Sequence, residues 1–516
     1  MITDELKYRI RETFGHVPTA DQERAIQTFA LFLSDRLPQC VMVLRGSAGT
    51  GKTTLASAIV RAMVAMKQKL VLMAPTGRAA KVFSLYSGQP AGTIHRSIYR
   101  QKSAGDLSSF NLNDNLHTDT LFIVDEASMI SGVASNDTFG FNSLLDDLIR
   151  YIYTSRNCRM LLIGDTAQLP PVGEEEAPAL RTGVLEDYGL KVYDSDLSEV
   201  LRQSQQSGIL WNATQIRTGV LAFGHAGEQT LALPRIRVQG FPDIQVVPGD
   251  ELIDSLASSY GKVGIDDTIV VTRSNKRANI YNEGIRRTVL DREDELCRGD
   301  RLMVVKNNYN SARTLTPSTN SSPSRGGWEG SFSPLSSLPS PLSHPLSGEA
   351  GRGLSFIANG DMVVVQRVRN VHELYGFRFA EVTMTFPDYD DCELTAIAML
   401  DTLTTEAPAL TREQQEQLYN KVLEEYADIP YKSDRLKKLK EDKYYNALQI
   451  KFGYAVTCHK AQGGQWAHVY IDQGYMTDDM LTPDYIHWLY TALTRATECV
   501  FLVNWPKTQI DKDDIH

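Results

Sequence analysis

Residues 40–66 read "CVMVLRGSAGTGKTTLASAIVRAMVAM", and the order of features in them decides the fold. An almost unbroken apolar run comes first, the pattern of a strand buried on both faces of a parallel sheet. A Gly-rich turn follows, then a stretch of helical period from Lys52. "GSAGTGKT" fits G-x-x-x-x-G-K-[ST] without departure, and strand–turn–helix is the setting in which that pattern makes a phosphate cradle. Backbone N–H groups from Gly46, Ser47, Ala48, Gly49, Thr50 and Gly51 can wrap phosphate oxygens. The helix N-terminus, with Thr54 in its first turn, adds a favourable dipole. Lys52 would reach the β- and γ-phosphates, and the Thr53 hydroxyl would ligate Mg2+. The competing reading is a plain Gly-rich turn ahead of a helix; the setting favours ATP.

Outward from this stretch the same kind of strand recurs. "LVLMAPT" (70–76), "TLFIVDE" (120–126) and "MLLIGD" (160–165) form one set, and "DTIVVTRSN" (267–275), "AHVYIDQ" (467–473) and "CVFLVNW" (499–505) a second. Helical stretches separate several of them, so two α/β domains account for both sets. The expected division is a first α/β domain over 1–190 and a second over 191–298 plus 446–516. Residues 299–445 would be an inserted module, since "GDRLMVVKNNY" (299–309) and "ANGDMVVVQRV" (358–368) read as short β segments with Gly-Asp turns. Within it, residues 311–353 are so rich in Ser, Pro and Gly that they read as a tolerated mobile insertion, with a functional tail as the other reading. Residues 409–445 are charged and helical in period. Their Lys/Arg run near 435–443 is a solvated helix face or, alternatively, a DNA contact.

At 516 residues the chain is too long for one compact domain. No apolar run reaches the ~18–20 residues of a bilayer span, and "MITDELKYRIRETF" is charged and amphipathic, without a signal-peptide core. The six cysteines are scattered and form no C-x-x-C pair, which argues against a disulfide or zinc framework and for reduced thiols in a cytosol, the expected cytoplasmic setting. A net charge of −10 does not advertise nucleic-acid binding, yet leaves room for a local basic groove.

Two further stretches belong with the cradle. In "LFIVDEAS" Asp125 ends an apolar strand and would hold Mg2+, while Glu126 would orient or deprotonate the attacking water. In "LLIGDTAQLPPVG" (161–173) a strand exits through Asp165 and Gln168 into Pro170-Pro171, whose locked φ angles stiffen the loop.

Together with "PTADQERAI" (18–26), "APTGRAA" (74–80), "GTIHR" (92–96), "EVLRQ" (199–203), "TCHKAQGGQW" (457–466) and "YTALTRA" (490–496), these motifs resemble, in order, those of superfamily 1 DNA helicases of the RecD/Dda branch, with Pif-type helicases as cousins. The resemblance runs with gaps from Thr19 to Thr497. It implies two RecA-like P-loop domains with ATP between them, an inserted β-hairpin, and a small SH3-like β module. By the same resemblance Gln22 reads adenine, Gln168 senses the γ-phosphate, and Arg202 and Arg495 enter the ATP site from the second domain as finger-like cations.

On the nucleic-acid side the resemblance points to Pro75, Thr76 and Gly77 at a strand's carboxyl end, then to Thr93 and His95. It also points to Thr457, His459, Lys460 and Gln462, and to Thr272 and Asn275 in "TRSNK". Small hydroxyl, cation and amide donors of this kind suit a backbone track that is not read by sequence. The hairpin "pin" of the family falls on about 97–119, where Phe110 either presses on a base pair or anchors the hairpin. The implied activity is ATP-driven 5′→3′ translocation on single-stranded DNA with opening of single/double-strand junctions, alongside replication or recombination protein partners. The alternatives are a RecD-like motor subunit of a nuclease complex, or an ATP-switched DNA-binding protein that does not unwind.

Overall fold

The computed structural model describes residues 2–101, 110–134, 142–199, 207–223, 234–306, 308, 357, 359–389, 391–477 and 480–511. The stretches 102–109 and 311–353, expected as the hairpin tip and the Ser/Pro/Gly insertion, lie outside them, as does Arg202.

Two parallel sheets carry the chain, as the two sets of apolar runs require. The first has six strands in the order Ala91–Thr93, Lys69–Ala74, Thr120–Val124, Arg159–Gly164, Cys40–Gly46, Lys191–Leu197. Its central strands are buried along their whole length, which is why they read as continuous rather than alternating. The second sheet runs Ala455–Thr457, Thr268–Thr272, Trp466–Asp472, Ala496–Val503, Ile244–Val247, again all parallel. These are α/β domains of the RecA-like kind, each with helices packed on its sheet.

Inserted in the chain between strands Thr268–Thr272 and Ala455–Thr457 of the second sheet is a closed five-stranded barrel: Arg301–Val304, Met362–Leu374, Phe377–Phe386, Cys392–Met399 and Leu448–Phe452. The helices Arg412–Glu425 and Lys432–Glu441 bury Leu418, Val422 and Leu439 against Phe377, Phe379 and Met399 of the barrel. Lys437 and Lys438 point to solvent. A short antiparallel hairpin, Tyr99–Gln101 with Phe110–Leu112, projects from the first domain.

Two expected boundaries move. Lys191–Leu197 pairs in register with Cys40–Gly46, so the first sheet runs past 190. Leu448–Phe452 closes the barrel by pairing with Arg301–Val304 on one side and Cys392–Met399 on the other, so the barrel runs past 445. In both cases backbone hydrogen bonding, which side-chain composition does not announce, sets the division.

The junction of barrel and second sheet is organised by one carboxylate. Asp300 is fully buried and accepts from Arg286 (3.1 and 2.9 Å), Arg292 (2.9 Å), the Tyr454 hydroxyl (3.0 Å) and the Cys297 amide (2.7 Å). Removing it would leave the largely buried Arg286 and its neighbour Arg292 without their shared counter-ion. Asp300→Ala is therefore expected to cost about 3–5 kcal/mol, read as a lowered urea midpoint of the full chain followed by circular dichroism.

Candidate functional site

The turn after Cys40–Gly46 is shaped by two glycines. At Gly46 a Cβ would lie 2.8 Å from Thr50 Oγ1 and 2.9 Å from Leu197 Cβ, so the turn can close only over a bare backbone. Gly51, at φ +79°, is the N-cap of helix Lys52–Ala65 and leaves the first N–H groups without a side-chain cap. Ser47, Ala48, Gly49 and Thr50 complete the cradle, with the Thr50 hydroxyl donating to Ser47 O at 2.8 Å. Thr53 and Thr54 are exposed at the helix start. Lys52 Nζ lies back over the loop, donating to Gly46 O (2.5 Å) and Ser47 O (2.9 Å). An ammonium parked on two carbonyls is free to exchange them for phosphate oxygens, which carry full charge.

Gln22 differs from its expected presentation. Its Oε1 accepts from Thr19 N (2.9 Å) in a capping box, and its Nε2 donates to Thr50 O (3.0 Å). Both ends of the amide are engaged, so here Gln22 braces the loop.

Asp125 and Glu126 follow strand Thr120–Val124 directly. Asp125 Oδ1 accepts the Glu126 amide at 2.9 Å, and the hydroxyl of the half-buried Tyr86 donates to Oδ2. Burial, then the Glu126 charge beside it, pushes the Asp125 carboxyl up to about 6. Glu126 sits at φ +52°, ψ +39°, a left-handed backbone that costs a non-glycine residue about 1 kcal/mol or more and turns its side chain off the strand line. Thr53 and the two acids supply only hard oxygen donors, the set that suits Mg2+ arriving with a phosphate chain.

The loop after Arg159–Gly164 is the seam between the domains. Asp165, 1% exposed, accepts Ala167 N through Oδ1 (3.0 Å) and the Tyr490 hydroxyl through Oδ2 (2.5 Å). Leu169 N donates to Thr491 Oγ1 (2.8 Å), Leu169 O accepts from Gln462 Nε2 (2.6 Å), and Ala167 O meets His487 Nδ1 at 2.9 Å. Gln168 is buried in this seam and its Oε1 has no hydrogen-bond partner, a costly state that a bound donor would relieve. Arg495 donates to Thr491 O (3.1 Å), Gly464 O (3.3 Å) and Thr494 Oγ1 (3.2 Å), all within its own domain. The structure does not bring it to the phosphate loop by a hydrogen bond.

The expected track residues divide into two groups. Pro75 and Thr76 are half-buried at a strand end, and Thr76 Oγ1 caps helix Gly77–Ser87 through Ala79 N (3.2 Å). Thr93 caps Ile94–Ile98 in the same way through Arg96 N (3.2 Å). Asn275, Thr457 and Lys460 are half-buried, and His459 is exposed. Burial, and Lys451 nearby, push the Lys460 ammonium down to about 8. Three residues serve other ends. Gly77 is covered by the barrel, for a Cβ there would lie 2.3 Å from Asp361 Oδ1 and 2.7 Å from the Tyr389 hydroxyl. Thr272 is fully buried and donates to Ser274 O (3.0 Å), holding the turn into helix Asn275–Gly284. Gln462 is the interdomain clasp on Leu169. Phe110 opens its hairpin strand; its side chain lies outside what is described.

Two family profiles match the chain: an AAA domain over residues 18–230, and a UvrD-like helicase C-terminal domain over residues 452–503. Among curated proteins it is similar to the ATP-dependent DNA helicase Dda of Enterobacteria phage T4, 26% identical over 288 residues, 51% of this chain and 56% of that protein. It is also similar to the ATP-dependent RecD2 DNA helicase of Deinococcus radiodurans, 32% identical over 132 residues, 26% of this chain and 16% of that one. Both profiles and both relatives agree with the resemblance to the RecD-like, Pif-related branch of the superfamily 1 helicases. The chain spans little more than half the length of the phage relative and less of the other. Among solved structures, a Bacteroides Pif1 helicase in complex with ADP-AlF3 and single-stranded DNA is similar at 12% identity and a TM-score of 0.43, over 96% of this chain and 95% of that one.

Three residues carry the site's geometry through contacts that the motif reading did not give. Tyr86 donates to Asp125. Arg78 donates to Gln465 O (2.7 Å) with its guanidinium 4.1 Å over the Trp466 ring, tying the first domain to the second. Asp361 sits on Gly77. Arg78 lies inside "APTGRAA" and Asp361 in a Gly-Asp turn, so both had a visible signal, whereas Tyr86 had none. The partner of Asp361 lies nearly three hundred residues away.

His95, packed 5.6 Å from the Tyr99 ring, is pushed down to about 4 by burial. Its imidazole is therefore neutral at pH 7 and presents a dipole rather than a charge. Between the unfolded value of about 6.5 and the folded value of about 4, the unfolded chain holds the extra proton. Stability is thus complete above 6.5 and falls as the pH drops towards 4. NMR titration of the His95 ring carbons is expected to place the midpoint near 4, and His95→Gln to flatten the unfolding midpoint over that window.

Proposed function

We propose that this chain is an ATP-driven DNA helicase that translocates 5′→3′ on single-stranded DNA and opens duplex at a single/double-strand junction. The observation that carries the reading is the seam. The loop Asp165–Leu169, one strand away from the phosphate cradle, is hydrogen-bonded to helix Pro483–Leu493 and to Gln462 of the second motor domain. A nucleotide that moves this loop moves the second domain, and a motor needs that coupling.

ATP would seat its phosphates on Gly46–Thr53, with Lys52 leaving Gly46 O and Ser47 O for the β- and γ-phosphates. Thr53 and Asp125 would hold Mg2+, which screens the phosphate charge when bound. Glu126, swung off the strand by its backbone, orients the attacking water and takes its proton. The Gln168 amide meets the γ-phosphate, and the seam reports its loss. Arg202 and Arg495 supply cation from the second domain, Arg495 after release from Thr491 O and Gly464 O. Because its amide is engaged at both ends, Gln22 contributes to adenine selection by fixing the loop or by exchanging partners. Thr76, Thr93, Asn275, Thr457, His459 and Lys460 form the backbone track, and the Tyr99–Leu112 hairpin acts as the separating pin.

With ATP and Mg2+, a duplex tailed only at its 5′ end is expected to open and one tailed only at its 3′ end to stay closed. Lys52→Ala should lower DNA-stimulated ATP turnover by on the order of 100-fold or more, as loss of a key charge-stabilising donor does. Opening from the 3′ tail would reverse the direction proposed here. Turnover without any opening would remove the pin from the mechanism.

A further inference from the structure

One buried group in the seam has its hydrogen-bond partners in the other domain. Tyr490, on helix Pro483–Leu493, is fully buried. A buried phenol needs partners. Its oxygen accepts the amide of Ala48, inside the phosphate loop, at 3.0 Å. Its proton goes to Asp165 Oδ2 at 2.5 Å. Lys52 Nζ stands 4.0 Å from that same carboxylate oxygen. A hydroxyl from the second domain and an ammonium from the first therefore converge on one anionic point at the rim of the cradle. Ala48 N–H fixes the phenol oxygen in place, so the direction of its proton is set in advance.

A second group stands behind it. Arg217, on helix Gly208–Phe223 packed against Pro483–Leu493, acts electrostatically on Tyr490 and has a buried Nε without a hydrogen-bond partner. Two donors and a guanidinium gathered where Lys52 delivers its charge favour an additional anion over an empty rim.

We infer that Tyr490, supported by Arg217, is a further residue, besides Arg202 and Arg495, through which the second motor domain recognises the third phosphate, so that its hydroxyl bonds a nucleoside triphosphate and not a diphosphate. The inference rests on the ATP reading above and names a group that distinguishes the two nucleotide states. Arrival of the γ-phosphate gives the hydroxyl proton an anionic acceptor that also takes Lys52. Its departure returns the hydroxyl to Asp165 and Lys52 to the carbonyls of Gly46 and Ser47.

The test is calorimetric titration of the full-length protein with ADP and, separately, with a non-hydrolysable ATP analogue. Tyr490→Phe keeps the ring and removes only the hydroxyl. It is expected to weaken the analogue about tenfold, the size of one hydrogen bond to a charged group, with ADP changed less than about twofold. A purely structural tyrosine would shift both nucleotides together, and that result overturns the inference. So does no change in either, or a selective gain for the analogue, which would make the hydroxyl a competitor of the phosphate. If thermal melting finds Tyr490→Phe unfolded, Arg217→Gln is read by the same criterion. Lys52→Ala is the separate control: if it binds both nucleotides as the wild type does, the cradle reading itself fails and the inference falls with it.

Discussion

The buried carboxylate of Asp165 is the constraint on which the two-domain arrangement depends. At 1% exposure it needs hydrogen-bond partners, and they come from both domains: Ala167 N on its own loop, and the Tyr490 hydroxyl from helix Pro483–Leu493 of the other domain. Neither domain alone supplies both bonds. The strand Arg159–Gly164 delivers the acid, the turn to Leu169 wraps it, and Pro170-Pro171 stop the chain from continuing as sheet. The Leu169–Thr491 and Leu169–Gln462 bonds then add backbone contacts that a loose encounter would not form.

Much of this was legible before any coordinates. The phosphate loop, the acid pair and the stiffened loop each combine a strand end with residue types whose chemistry is local, and local chemistry survives in sequence. The two sheets were legible because strands buried on both faces must be apolar throughout. Lys191–Leu197, "KVYDSDL", escaped that logic. It is an edge strand with polar, partly exposed positions, so it reads as linker although it pairs along all its residues with Cys40–Gly46. Leu448–Phe452 escaped because a five-residue strand beside a charged helical segment gives no period to count.

The site was legible to a lesser degree, for a related reason. Motif residues were found at the loop, but what they touch was not. Gln22, Thr272 and Gln462 looked like ligands because polar residues inside motifs look alike in sequence. Their amides and hydroxyl turn out to brace backbone at Thr50, Ser274 and Leu169. Tyr86, Arg78 and Asp361 act across gaps of 39, 387 and hundreds of residues, and single-sequence periodicity carries no information about such pairs.

The barrel has its covalent ends in the second domain, yet its Asp361 and Tyr389 sit on Gly77, and Lys81 donates to Pro387 O at 2.8 Å. Among the described residues the second half of the molecule is thus fastened to the first beyond the ends of three strands of one sheet: Lys69–Ala74, Arg159–Gly164 and, through Tyr490 on Ala48, Cys40–Gly46. Strand Thr120–Val124 lies between the first two of these in the sheet. Fastenings set in a row leave one easy rotation, about the row itself. Asp125 and Glu126 follow Thr120–Val124 and stand within that row, where such a rotation displaces them least. The cleft would swing open and shut like a door while the acids, placed among the hinge pins, stay almost still.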